Sequence, residues 1–259
     1  MSAAPGIIVA DWNPPPGVHA MCTTRHGGVS VAPRDAWNLG DHVGDAPAAV
    51  AENRQILRAV ACLPQDPHWL RQVHGVAVAD LDVAAAGAAV PVADAAVAQG
   101  TGSVCAVLTA DCLPVLLAAT DGSAVGAAHA GWRGLAAGVI EATVRALRGR
   151  IAPGIGLQAW LGPAISAAHF EVGDDVRSAF LAVNPAAEFA FERGAVDRWQ
   201  ADLYALARSR LATLGITQVS GGNFCTYADA DRFFSHRRDV QHRGLAGTGR
   251  MASLIWRQT

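Results

Sequence analysis

The chain has 259 residues, of which 51% are hydrophobic, and a formal net charge of −2 at pH 7. Its 20 basic residues are all Arg, which excludes lysine Schiff-base chemistry and a lysine-bearing phosphate loop. The near-neutral charge, without a basic cluster, argues against a nucleic-acid partner. Asp and Pro residues interrupt every apolar run before it reaches membrane-spanning length, so we expect no membrane span.

The organisation of the chain predicts one domain over residues 1–259, because no charge run or Ser/Gly linker divides it. Alternating β-rich and helical runs are typical of an α+β fold. The N-terminus lacks a basic region followed by an apolar core, and the five cysteines show no CxxC spacing. We therefore expect a cytoplasmic protein without disulfides, in which Cys62 and Cys105 are buried core residues.

Short runs rich in β-branched and apolar residues predict the strands. In chain order they cover residues 18–23, 76–81, 104–109, 114–119, 124–129, 157–161, 188–191, 216–220 and 252–256. Asp121 and Gly122 between two of these runs form a hairpin signal. Residues 82–102 are rich in Ala, Gly and Val, and their pattern predicts no particular element.

Apolar residues at helical spacing predict four helices. They are expected at about 46–61, 133–148, 174–183 and 198–214. Asp45 is the predicted N-cap of the first helix, which should bury Val60 among other apolar residues. Asp197 is the predicted N-cap of the last, and Gly215 ends it.

Three segments place a thiol and two imidazoles at the ends of predicted strands. Cys112 lies in TADCLPVLL between two strand-like runs, His129 closes a strand in HAGWRGL, and His74 lies upstream in RQVHG. Two His and one Cys are the ligands of a catalytic zinc whose fourth position is open. A chain with 9 His and 5 Cys also produces chance triplets. The residue types alone thus leave two alternatives, a metal site or a core cysteine with two unrelated histidines.

Local charges bear on this choice. The helix predicted to begin after His129 opposes an imidazolium there and favours a neutral ring. Asp111, adjacent to Cys112, disfavours a thiolate in the absence of a cation. These local charges therefore favour His74, Cys112 and His129 as ligands of a metal ion over Cys112 as a nucleophile without a metal.

Longer motifs resemble a known family. In order they are TTRHGGVS, NLGDHVGD, ENR, RQVHG, TADCLPVLL, HAGWRGLAAG, LGPAI, FEVG and SHRRD. These motifs cover about residues 23–256 and look like those of the laccase-domain or YfiH-type family, once described as polyphenol oxidases. Its members resemble zinc-dependent purine nucleoside phosphorylases. The resemblance implies mixed β-sheets sandwiched by helices and a metal held by His74, Cys112 and His129, which are then also catalytic.

The reaction implied by the resemblance is phosphorolysis of adenosine, inosine, guanosine or methylthioadenosine to free base and ribose 1-phosphate. Adenosine deamination is a further implied activity. The implied cofactor is zinc rather than copper, and the implied partners are a purine nucleoside and inorganic phosphate, without a protein partner. An open zinc position can activate water or polarise a substrate atom.

Arginines are the candidates for phosphate binding, because their planar fork meets two phosphate oxygens at once. The family-like segments point to Arg54 in ENR and to Arg133 at a predicted helix start. Arg25 and Arg237 are further candidates within the motifs TTRHGGVS and SHRRD.

Motif membership alone suggests three more roles. Asn38 is expected to bind sugar or base, Asp111 to orient a ligand or relay a proton, and Asp94 to accept a proton. The chain departs from the family pattern at residues 240–247, an insertion after SHRRD.

Three other functions remain open. A copper-dependent polyphenol oxidase needs closely spaced histidine pairs, and the sequence contains no HxH. A cysteine-type or metal hydrolase in peptidoglycan precursor editing would use Cys112 as nucleophile and His129 as base. A nucleoside sensor would bind its ligand without turnover.

Overall fold

The structure is a computed structural model that describes residues 6–83 and 89–258. Its strands are β1 (Ile7–Val9), β2 (Val18–Thr23), β3 (Val78–Asp80), β4 (Ala95–Ala98), β5 (Val104–Thr109), β6 (Leu113–Ala119), β7 (Val125–Ala130), β8 (Leu157–Leu161), β9 (Glu171–Val172), β10 (Phe191–Arg193), β11 (Trp199–Ala201), β12 (Val219–Gly221) and β13 (Met251–Arg257). Its α-helices are α1 (Pro47–Val60), α2 (Trp132–Ala137), α3 (Val139–Arg148), α4 (Asp174–Val183) and α5 (Leu203–Thr213). Ala167–His169 and Pro185–Ala190 are 3₁₀-helices, and Arg237–His242 is a π-helix.

The strands form three sheets. An antiparallel sheet has the order β1-β2-β13-β5, a mixed sheet has the order β12-β8-β6-β7-β4-β3, and a small sheet has the order β10-β11-β9. The C-terminal β13 lies between β2 and β5, with Met251 opposite Thr109. β6 and β7 form the predicted hairpin, with Gly122 at φ +75° in its turn. These pairings bring the ends of β5, β6 and β7 together.

Alternate side chains of β6 enter two different cores. Leu117 packs in a cluster with Val144 of α3, whereas Leu116 packs between the two large sheets. A third cluster holds Leu57 of α1 against Leu254 of β13. The layers are therefore α1, the antiparallel sheet, the mixed sheet, and the helices α3 and α5, which confirms the predicted α+β fold. Each fully buried Leu contributes about 1.5–3 kcal/mol through the apolar surface it removes from water.

The strand predictions are accurate where a run alternates or is bounded by turn residues. The observed bounds of β2, β5 and β8 coincide with the predicted ones. The strand predicted at 188–191 is wrong, because Asn184 caps a 3₁₀-helix there by accepting a hydrogen bond from Ala186 N, and β10 begins only at its end. β4 lies in the stretch without a predicted element, since four small, fully buried residues show no alternation. Residues 84–88 of that stretch lie outside the described residues.

Two predicted helices differ from the observed ones. The helix predicted at 133–148 is two helices, because Gly138 adopts φ +99° between α2 and α3 and breaks the hydrogen-bond ladder. Asp197 does not cap α5. The N-cap is Asp202, whose carboxylate accepts a hydrogen bond from Ala205 N at 2.9 Å.

Three further predictions around α1 are wrong. Its N-cap is Ala46 rather than Asp45. The Asp45 carboxylate instead accepts hydrogen bonds from the side chains of Ser30 and Asn38. Val60 is 40% exposed because α1 ends there at the surface. Cys62, in the following turn, is exposed as well, whereas Cys105 is buried as expected. Within the described ranges, no helix has the length and apolarity needed to cross a bilayer.

Candidate functional site

The thiol and the two imidazoles meet at the ends of three segments. His74 precedes β3, Cys112 lies between β5 and β6, and His129 lies near the end of β7. Their donor atoms all lie within 4.8 Å of one another, and His74 Nε2 is 3.8 Å from Cys112 Sγ. Around a tetrahedral zinc with bonds of about 2.0–2.3 Å, neighbouring donor atoms are roughly 3.3–3.8 Å apart. This trio, defined as His74, Cys112 and His129, has the donor types for such an ion, and its His74–Cys112 pair already lies at that spacing.

The backbone at this site is held in unusual conformations. His74 has φ +61° and Asp111 has φ +87°, both in the left-handed region that side chains with a Cβ rarely adopt. Such residues cost on the order of 1–3 kcal/mol each and persist where the surrounding contacts impose them. Here those contacts come from a buried carboxylate on one side and from the C-terminal segment on the other.

The buried carboxylate is Asp94, which contacts both histidines of the trio. Its Oδ1 accepts a hydrogen bond from His74 N at 2.8 Å and lies 2.9 Å from His129 Nδ1. Its Oδ2 accepts hydrogen bonds from Val73 N at 3.1 Å and Gly75 N at 2.7 Å. Because Nδ1 is engaged, Nε2 is the ring nitrogen of His129 that can bind a metal.

The charges of Cys112 and His129 stabilise each other against burial. Burial raises the pKa of Cys112, but both histidines of the trio outweigh it and lower this pKa to about 6. Burial likewise lowers the pKa of His129, but the Cys112 thiolate and Asp94 outweigh it and raise this pKa to about 9. For Asp94 too, burial is outweighed, by His129 and by backbone N–H groups, and its pKa is lowered. Before a metal ion binds, the arrangement therefore favours a thiolate beside an imidazolium.

Two sequence-based expectations about these charges are wrong. Before a metal ion binds, the helix dipole does not keep His129 neutral, because α2 has only 6 residues and the Cys112 thiolate and Asp94 raise the pKa of the ring. Nor does Asp111 suppress the thiolate of its neighbour. Its carboxylate accepts hydrogen bonds from Thr226 Oγ1 at 2.6 Å, Ser235 Oγ at 3.0 Å and a backbone N–H at 2.7 Å. Asp111 therefore ties the loop to the C-terminal segment.

Gly131 is required sterically at the trio. A Cβ there would lie 2.9 Å from both Cys112 Sγ and His74 Cδ2. Its φ of −60° and ψ of 155° suit any residue, so the restriction comes from the two ligands and not from the backbone.

We expect Gly131→Ala to weaken zinc binding by at least about tenfold while changing the free energy of unfolding by less than about 1 kcal/mol. The methyl group would push His74 and Cys112 apart without straining α2. A chelator competition titration measures the affinity, and urea denaturation measures the stability. Gly149→Ala is the matched control, because its Cβ would meet nothing closer than 3.6 Å. Equal zinc affinity in the two variants would contradict the steric argument.

The trio lines a cavity of about 440 Å³. This volume lies in the range of small-molecule sites, roughly 300–1,000 Å³. The apolar part of its wall is formed by Leu108, Trp132, Ile165 and Phe170. The cavity can therefore hold a ligand with a flat apolar part next to the trio.

Three arginines form the cationic part of the cavity wall, Arg133, Arg237 and Arg250. The Arg133 guanidinium lies 4.3 Å over the Trp132 ring, and Arg237 Nη1 donates a hydrogen bond to a backbone carbonyl at 2.8 Å. Arg250 Nη1 donates to two backbone carbonyls at 3.1 Å each, whereas its Nε and Nη2 form no hydrogen bond with any described residue. This wall therefore suits an anion.

Three other predicted ligands lie away from the cavity wall. Asn38 is fully buried, and its Oδ1 accepts a hydrogen bond from Arg250 N at 2.9 Å. Arg54 donates from Nε and Nη2 to Leu39 O at 3.2 and 3.0 Å. Arg25 lines a separate surface pocket. The structure thus brings Arg133 and Arg237 to the trio but not these three residues.

Arg250 was not identified from the sequence, although it borders the cavity directly. It immediately precedes β13, which pairs with β5 just before the loop that carries Cys112. An arginine next to a long buried strand is a weak local signal. Only the pairing of β13 with β5 shows which site this arginine serves.

Comparisons with known proteins extend over almost the whole chain. Residues 19–258 match the family model described as multi-copper polyphenol oxidoreductase laccase. A Xylella fastidiosa protein named purine nucleoside phosphorylase is 52% identical over 259 residues, which cover 96% of each chain. The Escherichia coli protein named purine nucleoside phosphorylase YfiH is 50% identical over 250 residues, covering 96% of this chain and 98% of its own. A crystal structure of a Neisseria meningitidis protein has a TM-score of 0.89 and 47% identity, covering 98% of this chain and 100% of that one.

Proposed function

This chain belongs to the multi-copper polyphenol oxidoreductase laccase family. From its named relatives and from the site, we propose that it is a metal-dependent purine nucleoside phosphorylase. Relatives at 52% and 50% identity, aligned over nearly their full length, bear that enzyme's name. The observation that carries the proposal is a His-Cys-His donor set that opens on a cavity with three arginines in its wall. We further propose a cytoplasmic enzyme, since all five cysteines are free thiols.

Zinc is the metal that we propose for the trio. One thiolate and two imidazoles suit zinc, and three protein ligands are the number found in its catalytic sites. Bound there, zinc would polarise a substrate atom or activate a water molecule. Copper oxidase chemistry has less support, because the described residues contain one three-ligand group rather than a copper cluster. Asp94 positions the ring of His129 and the backbone of His74, so the ligands are already oriented.

The three arginines of the cavity wall are the basis for the proposed phosphate site. In phosphorolysis a phosphate oxygen forms a bond to C1′ of the ribose, while the C1′–N9 bond breaks and its electron pair leaves with the purine. The attacking anion must be held close and its charge balanced inside the cavity. Arg250 and Arg237 are the proposed phosphate ligands, with Arg133 at the cavity rim. Asn38 and Arg54 lie outside the cavity wall. They position Arg250 indirectly, because Asn38 accepts a hydrogen bond from the backbone of Arg250 and Arg54 binds the neighbouring backbone at Leu39.

The purine is proposed to bind against the aromatic part of the wall. Trp132 and Phe170 line the cavity, and their rings offer apolar surface against which a purine can pack. Neither side chain discriminates strongly between adenine, hypoxanthine and guanine, so we propose a broad substrate range.

We expect Arg250→Met to raise the KM for phosphate by about 10- to 100-fold, the effect of losing hydrogen bonds to a charged ligand. The KM for nucleoside should change much less, because Arg250 is proposed to contact the phosphate only. Steady-state kinetics with each substrate varied in turn measure both constants. Arg145→Met, an exposed arginine of α3, is the control. An equal rise in both KM values would contradict the assigned contact.

The proposed reaction is tested by incubating the zinc-loaded protein with inosine, with and without phosphate, and by chromatography of the products. Hypoxanthine and ribose 1-phosphate should form only when phosphate is present. Hypoxanthine formed equally well without phosphate would overturn phosphorolysis in favour of hydrolysis. A parallel incubation with adenosine tests deamination, since inosine would form without phosphate.

The contact between Cys112 and the two imidazoles also favours a second candidate, a cysteine hydrolase with Cys112 as nucleophile and His129 as base. This function would include the hydrolysis of a peptidoglycan precursor. Metal removal and thiol alkylation separate the two candidates. A phosphorylase should lose activity with a chelator and regain it with zinc, whereas a thiol hydrolase should tolerate the chelator and lose activity on alkylation.

A further inference from the structure

A second contact between a thiol and an imidazole lies outside the cavity. Cys225 Sγ is 3.5 Å from His169 Nδ1. The same sulfur accepts hydrogen bonds from the backbone N–H groups of Ser166 and Ala228, both at 3.5 Å. Donors on several sides stabilise negative charge on a sulfur atom. Cys225 is half-buried, so small solutes can reach it.

Aromatic contacts hold the imidazole next to this sulfur. The His169 ring stacks on the Tyr227 ring, with the centroids 4.6 Å apart and the planes 23° apart. Tyr227 Oη lies 2.9 Å from His242 Nδ1, at the end of the π-helix. The stacking fixes His169, and the Tyr227–His242 contact extends the group toward solvent, where His242 is exposed. His169 is therefore held in place to exchange a proton with the Cys225 sulfur.

The other cysteines lack this combination of access and donors. Cys22 and Cys105 are fully buried, and burial raises the pKa of Cys22 to about 12. Cys62 is exposed, but its sulfur lies 3.7 Å from the carbonyl oxygen of Ala59, which cannot donate a hydrogen bond to it. Cys112 belongs to the trio. Cys225 is thus the cysteine outside the trio that has both access and hydrogen-bond donors.

We propose that Cys225 is a reactive thiol whose reactant is hydrogen peroxide. Cys225 passes its proton to His169, and its sulfur attacks one peroxide oxygen, so that an S–O bond forms and the O–O bond breaks. The sulfur is oxidised by two electrons to a sulfenic acid, and the peroxide is reduced to hydroxide. His169 delivers the proton that converts the leaving hydroxide to water. Peroxide suits this site because it is small and uncharged and can reach a half-buried sulfur.

The test compares two cysteines within the same protein. Full-length, zinc-loaded protein is treated with hydrogen peroxide, sulfenic acid is trapped with dimedone, and each cysteine is quantified by peptide mass spectrometry over time. Cys225 should react about tenfold faster than Cys62, although Cys62 is the more exposed, because an imidazole that can take its proton and two backbone N–H groups contact the Cys225 sulfur. A Cys62 rate equal to or above that of Cys225 would overturn the proposal, and this comparison needs no variant.

A variant then tests the role of the imidazole. His169→Asn should slow the oxidation of Cys225 by about tenfold and leave the oxidation rate of Cys62 unchanged, since the asparagine cannot carry the proton or the positive charge. Cys105 is fully buried and should stay unreactive, which reports that the variant is folded. Cys225 reacting at its original rate in His169→Asn would show that the imidazole plays no part and would refute the proposed site. These rates do not depend on the phosphorylase proposal, which has its own test with inosine.

Discussion

Replacing Cys112 by serine should remove bound zinc and lower turnover by about 10³-fold or more, while the protein stays folded. A serine hydroxyl does not supply the soft anionic ligand that the thiolate provides, and two imidazoles alone hold zinc weakly. His74→Ala and His129→Ala should have the same effect, because each removes one of three ligands. Metal analysis of the purified variants measures zinc per chain, the inosine assay measures turnover, and circular dichroism reports folding.

Cys62→Ser is the matched control for Cys112→Ser. It makes the same exchange at an exposed cysteine outside the cavity, so zinc content and turnover should remain at the original level. A Cys112→Ser protein that retained one zinc per chain would place the metal elsewhere. A protein that lost zinc but kept full turnover would show that the reaction does not need the metal.

Asp94→Asn should lower zinc affinity by about 10- to 100-fold, although Asp94 does not belong to the trio. The buried carboxylate accepts hydrogen bonds from three successive backbone N–H groups and contacts His129 Nδ1. An amide has one acceptor oxygen, and its NH₂ group would face N–H donors or the imidazole. The variant should therefore release the backbone of His74 and the ring of His129 together. Competition titration with a zinc chelator measures the affinity.

The same substitution should destabilise the protein by about 3–5 kcal/mol, because it breaks a buried ion pair and leaves buried donors unsatisfied. Asp82→Asn is the control, since Asp82 also accepts two backbone hydrogen bonds, from Gln99 and Gly100, but lies at an exposed position. It should cost less stability and leave zinc affinity unchanged. Equal zinc affinity in the Asp94→Asn and original proteins would show that the trio holds its geometry without the carboxylate.

The fold was predicted best where local pattern and burial agree. Strand β8 and helix α4 have the predicted bounds, because turn or capping residues flank a short apolar or amphipathic run. The predictions fail where tertiary contacts override local preference. Gly138 divides one periodic stretch into two helices, and β4 is a strand only because it fits between β3 and β7 in the mixed sheet.

The trio could be predicted because each member carries its own chemical signal. A Cys and two His at strand ends supply the donor types that a zinc ion uses, and the surrounding motifs are long. Asp94 was suggested only as a proton acceptor, since its bonds to the backbone around His74 join segments that are separate in the sequence. Asn38 was expected to bind substrate, yet its amide is used to fix the backbone of Arg250.

The amino-acid sequence by itself determined the types of donor, the alternation of strands and helices, and the absence of lysine, because these depend on residue identity and local spacing. Only the tertiary structure decided which charges share a cavity. The pairing of β13 with β5 brings Arg250 to Cys112, and the packing of α1 behind that sheet leaves Arg54 outside the cavity wall. The physical reason is that charge interactions depend on distance in space and on burial, and neither can be read from positions along the chain.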